Sequence, residues 1–211
     1  MAAYEAFLSR VMPEVAGCPE PVAIQAIKDT CIEFCTRSNA LQQDLDPVTL
    51  IANQSEYDLE PPAGYRVSRV MKVWRGDTEL TPAAPDMIRV PDAYRATAGS
   101  AAPTFYFQKT ASTISFLDVP KVTERNVVTI RAAITPTRAS TTIDDEILEL
   151  WAEEIAHGAK YRLMLVPGKP YSNPQSSAVE KALFDAGVNK AMLQASRGYV
   201  RSSMRVKLRK I

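Results

Sequence analysis

The chain has 211 residues, 46% apolar and 23% charged, with a formal net charge of +1. That length buries a real core in one domain or two small ones. No apolar run approaches the roughly 18 residues of a membrane span, and three cysteines, an odd number, argue against a disulfide framework. The N-terminal stretch lacks a basic segment ahead of an apolar one, so no secretory signal is expected and folding is expected in a reducing cytoplasm.

In chain order, Tyr4 to Met12 reads as a short helix stopped by Pro13. A second helix is predicted from Pro21, which suits a first turn, to about Ser38. Its apolar set is Ile24, Ile27, Cys31, Phe34 and Cys35. From Leu45 to Arg138, a stretch holding nine of the fifteen prolines, strand-like runs recur between turn signals. Strands are expected near 48–53, 56–59, 66–74, 104–109, 113–117 and 126–134. Gly76-Asp77 should close a hairpin from Val73 to Leu80. Residues 82–102 read as an interaction loop. Helical texture returns at Thr142, with Leu148, Trp151, Ile155, Ala159, Arg162 and Val166 in a near-heptad stripe ending before Pro167-Gly168. Asn173 then caps a last helix with Pro174 in its first turn. Val179, Ala182, Leu183, Ala186 and Leu193 line part of its apolar side, and Gly198 is its stop.

The charge is unevenly placed. All 24 acids lie before residue 186, against 18 Lys/Arg there, and the last 26 residues carry seven Lys/Arg alone. After Gly198 the pattern changes to a period of two. Met204, Val206 and Leu208 alternate with Arg205, Lys207 and Arg209, as in a strand with one apolar and one basic face. A terminal strand has no following hairpin partner, so the reading is an arm that docks on another subunit by strand addition, through Arg201, Met204, Arg205, Val206, Lys207, Leu208, Arg209 and Lys210.

The expected fold is α+β: a helical bundle from both chain ends, an inserted antiparallel β module, and an extended basic C-terminal arm. The boundaries are 1–44 with 139–198 for a discontinuous helical domain, 45–138 for the β domain, and 199–211 for the arm.

Catalytic chemistry finds little purchase. The single histidine, His157, lies in a Glu154-x-x-His157 arrangement, but a di-iron bundle needs a second such pair. Cys31 and Cys35 would need two further ligands for zinc, and read as small buried hydrophobes. There is no phosphate-binding glycine loop and no G-x-S-x-G elbow. No metal, cofactor or catalytic residue is expected. Six acids (Asp144, Asp145, Glu146, Glu149, Glu153, Glu154) crowd eleven residues without a base. They read as a solvated helix start, or as an acidic lumen, a subunit contact or a receptor for a basic tail. Two other functions stay open: a nucleic-acid module using the basic tail, with Phe105-Tyr106-Phe107 as a stacking platform, and a cell-wall hydrolase using Glu153, Glu154 or His157.

Several phrases occur in a characteristic order. These are Ala26-Ile27-Lys28-Asp29-Thr30-Cys31-Ile32-Glu33-Phe34-Cys35, Leu45-Asp46-Pro47, Glu56-Tyr57-Asp58-Leu59 and Pro61-Pro62-Ala63-Gly64-Tyr65. Pro103-Thr104-Phe105-Tyr106, Ile143-Asp144-Asp145-Glu146-Ile147, Ile155-Ala156-His157-Gly158-Ala159 and Pro167-Gly168-Lys169-Pro170-Tyr171-Ser172-Asn173-Pro174 follow. In this the chain resembles the head-to-tail adaptor (connector, head-completion or tail-accessory) proteins of tailed bacteriophages. The resemblance implies a non-catalytic virion protein at the head–tail junction, assembled in the host cytoplasm. It implies a ring of identical subunits, usually a dodecamer, beneath the portal protein and joined to the next tail or nozzle protein. DNA would pass through the channel during ejection without sequence-specific binding, an acidic lumen suiting its passage, and no membrane is involved. It also implies an arm reaching the portal, where the tail's alternation leads independently to a docking strand.

Overall fold

The computed structural model describes residues 1–83 and 102–198. The chain divides into two compact units. The first comprises Met1–Ala40 and the chain from Thr141, and the second Leu41–Ser140.

In the first unit, Ala2–Ala3 (β1) pairs antiparallel with Thr142–Ile143 (β11). The segment expected as one short helix is a 3-10 turn (Tyr4–Phe7), one α turn (α1, Leu8–Val11) and a second 3-10 turn (Met12–Glu14), tightened where Pro13 enters. Helix α2 spans Glu20–Ser38, with proline in its first turn. It ends at Asn39, whose left-handed backbone (φ 51°) lets its N–H donate to the Cys35 carbonyl. Helix α3 (Asp145–Met164) is capped by Asp144, whose carboxylate accepts from Glu146 N at 2.9 Å. It kinks at Trp151 (φ −131°, ψ 17°). Helix α4 (Pro174–Arg197) is capped by Asn173, which accepts from Ser176 N at 3.1 Å.

Aromatic packing ties α2, α3 and α4 together. The Phe34 ring lies 5.6 Å from Trp151 and 6.4 Å from Phe184, and Ile27, Ile147 and Ile155 are buried with them. Each such side chain contributes about 1.5–3 kcal/mol on burial. Two glycines permit the close approach. A Cβ on Gly158 would overlap Thr30 Cγ2 and stand 2.7 Å from Phe184 Cδ2, and one on Gly187 would stand 2.8 Å from Glu154 Cβ.

The spine of the second unit is β10 (Glu124–Pro136). It pairs on one side with β2 (Gln42–Asp44) and β3 (Val48–Leu50), and on the other with β5 (Tyr65–Arg75). β5 turns at Gly76-Asp77 into β6 (Thr78–Glu79). Gly76 takes φ 53°, the left-handed geometry a two-residue hairpin turn requires. Val128 and Ile130 point inward and Arg131 outward, where it forks onto Asp44 at 2.7 and 2.8 Å. A separate sheet has the order β4-β9-β8-β7: Glu56–Asp58, Thr113–Phe116, Phe105–Thr110 and Thr81–Pro82. Here β7 runs parallel to β8.

This corrects the expected architecture, a helical bundle from both chain ends with one antiparallel β module and an extended arm. The described residues are 41% helix and 28% strand, in four α-helices and three sheets, so neither class is an appendage of the other. The strands do not form one module. One pair lies with the helices, and the rest divide into two sheets, one with a parallel pair. The physical reason is that period-two patterning marks a strand without naming its partner. The expected arm, 199–211, and most of the expected loop at 82–102 lie outside the described residues.

Candidate functional site

The acidic run at the start of α3 is largely committed within its own unit. Asp144 is the cap, and Asp145 Oδ2 lies 2.5 Å from the Met1 amino group. Glu153 accepts from Arg10 Nε at 2.8 Å, and Glu154 lies 3.5 Å from Lys190 Nζ. Glu146 and Glu149 are exposed. The run is therefore a helix start at which Asp145, Glu146, Glu149 and Glu153 all face solvent, Asp145 and Glu153 in exposed ion pairs.

A buried charge cluster went unread in the sequence. His157 Nδ1 lies 2.7 Å from Glu180 Oε2, on α3 and α4 respectively. Lys160 Nζ lies 3.2 Å from the same oxygen and 2.7 Å from Glu14 Oε1. Lys160 is buried. Desolvation alone would lower its pKa, but its hydrogen bonds to Glu14 and Glu180 outweigh that and raise it. The signal was available: Lys160 sits beside Ile155, Ala156, Ala159 and Leu163 on α3's buried side, and a lysine there demands acids. The cluster clamps α4 and the Met12–Glu14 turn to α3.

Cys31 and Cys35 are fully buried. Burial raises Cys31 well above its ordinary value and pushes Cys35 up to about 12. Both stay protonated thiols at neutral pH, which leaves them poor nucleophiles. No group of His, Cys, Asp and Glu suited to a metal occurs among the described residues. Of the three aromatics weighed as a stacking platform in the alternative reading, Tyr106 is buried and Phe105 and Phe107 are half-buried in β8.

The largest departure from expectation is on α4. Its inward side is Ser177, Glu180, Phe184, Gly187, Val188 and Ala191. The residues read as lining part of its apolar side, Val179, Ala182, Leu183, Ala186 and Leu193, face outward, with Val179 60% and Leu193 51% exposed. Spacings of three and four put these residues on one stripe. A shallow groove continues it past Ala186, Asn189, Lys190 and Leu193 to Arg197. Lys190 also covers the Trp151 ring at 5.3 Å. Isolated exposed leucines are ordinary, but Val179, Ala182, Leu183 and Ala186 form one exposed apolar stripe, which resumes at Leu193 beyond Asn189 and Lys190. The residues of the expected docking arm, Arg201 and Met204 to Lys210, lie outside the described residues.

Residues 3–207 match the model of the SU10 adaptor protein family, and the chain belongs to that family of phage structural adaptors. No curated protein matches it. No described helix is long and apolar enough to cross a membrane.

Proposed function

We propose that the chain is a ring-forming virion adaptor at the head–tail junction. Identical subunits assemble beneath the portal protein, continue its DNA channel, and receive the next tail or nozzle protein. The observation that carries this reading is the outward apolar stripe of α4, Val179, Leu183, Ala186 and Leu193, on a member of an adaptor family. A neighbouring copy would cover it, helix against helix. Asp145, Glu146, Glu149 and Glu153 are exposed, and acids at the surface suit a channel that passes DNA without holding it, because like charges repel. The basic arm from Arg201 to Lys210 serves docking to the portal or to a neighbour.

The test is sedimentation of the full chain, alone and with the portal protein. Wild type should form a ring-sized complex, and Leu183→Asp should not. Wild-type chain that stays monomeric under both conditions would contradict the proposal.

A further inference from the structure

The second unit contains a groove that none of this uses. It is a cavity of about 280 Å³ between β3 and the segment from β4 to Glu60. Its floor is apolar: Leu45, Tyr57, Leu59 and Ile130 are all buried. The floor is fixed in place, because Ile51 N donates to the Tyr57 hydroxyl at 3.0 Å and that hydroxyl donates to Gln54 O at 2.9 Å. Its rim carries Asp46, Asp58 and Glu60, all exposed, and no Lys or Arg lines it. The groove is flanked by two three-residue strands that, among the described residues, each pair with one strand only, β3 with β10 and β4 with β9, although Gln54 Nε2 already donates to Glu56 O on β4 at 2.8 Å. An open edge is a template for another strand.

Those features specify an occupant: an extended segment, apolar on one face and basic on the other. The chain contains one, in Met204, Val206 and Leu208 alternating with Arg205, Lys207 and Arg209. Thirteen residues follow Gly198. Extended, they reach about 45 Å, more than the ~30 Å width of a small domain. We propose that the groove bounded by β3 and β4 is the receptor for the C-terminal arm of a neighbouring copy. Backbone hydrogen bonds to an open edge give affinity, the apolar residues cover the floor, and the bases meet the three rim carboxylates. This rests on the adaptor reading and assigns its arm to a neighbour rather than to the portal.

The probe is a fluorescein-labelled peptide of residues 199–211, followed by fluorescence anisotropy. The acceptor is the full chain carrying Arg205→Glu, Lys207→Glu and Arg209→Glu, whose own arm no longer competes. The peptide should bind this chain. Adding Asp46→Lys, Asp58→Lys and Glu60→Lys should weaken binding about tenfold or more, as three exposed charge pairs turn from attraction to repulsion. Should that variant lose its folded circular-dichroism signal, the near-isosteric Asp46→Asn, Asp58→Asn and Glu60→Gln set should still weaken binding about threefold. A peptide with Val206→Pro should bind more weakly at every salt concentration, because it loses a ladder N–H. Equal binding by folded groove variants, equal binding of a scrambled peptide, or no binding by the acceptor overturns the assignment. Failure here alongside intact portal association removes the groove and leaves the adaptor reading. Failure of the wild-type chain to associate with portal or itself removes the reading.

Discussion

Helix α4 has two apolar sides with opposite fates. The inner one, Phe184, Gly187, Val188 and Ala191, is closed against α2 and α3. The outer one, Val179, Leu183 and Leu193, is open to solvent. Composition barely separates them, since the outer side is richer in large aliphatic residues. What separates them is fit. The inner side places an aromatic beside glycines where helix backbones approach, and its polar members, Ser177 and Glu180, have named partners in Tyr161 O and His157. Hydrophobicity in this helix therefore records one burial at folding and, under the assembly proposed above, a second against a neighbouring copy.

The sharpest way to break that distinction is to attack the inner side. Phe184→Ala should cost about 3–5 kcal/mol of unfolding free energy in urea denaturation, since the ring touches Phe34 and Tyr161 in a closed core. A loss below about 1 kcal/mol would mean the core is not closed there. Gly158→Ala should cost less, about 1–3 kcal/mol, through overlap with Thr30 and Phe184. Helix propensity alone predicts a gain of up to about 1 kcal/mol, so the sign of the change decides between packing and propensity.

Much of the helical unit was legible because its punctuation is local. Pro21, Asn173 and Pro174 announced helix starts, and Gly76-Asp77 announced a hairpin. The sidedness of α4 was not legible, because i, i+3, i+4 spacing holds equally for a core stripe and an interface stripe. The sheets were not legible either. The β1–β11 pair joins Ala2 to Ile143 and Ala3 to Thr142, from opposite ends of the β unit, and β7 pairs in parallel with β8, where no tight turn signals the partner. Of the candidate residues, the acidic run is legible as a cluster but its ion pairs with Arg10 and Lys190 are not, since those residues lie far from it in sequence. The arm rests on its alternation alone and lies outside the described residues.

Two smaller effects sharpen the account. Asp185 on α4 is held below its ordinary 3.8, first by the Lys181 hydrogen bond and then by Arg37. A carboxyl depressed in the folded state stabilises it above the unfolded pKa, and this is lost as pH falls through the folded value. Melting temperature should therefore drop below about pH 4, and Asp185→Asn should flatten that drop. In the native protein, Ellman's reagent should leave Cys31 and Cys35 unmodified at pH 8, and denaturant should expose both. Rapid native modification of either would show that α2 opens.

The outer side of α4 carries the central claim, and the double variant Val179→Asp, Leu183→Asp tests it most directly. Its urea unfolding should match wild type within about 0.5 kcal/mol per site, as for surface positions. Its analytical ultracentrifugation profile with the portal protein should lack the ring-sized species that wild type forms. A variant that still forms that species, at wild-type stability, would contradict the assignment of this face to subunit assembly.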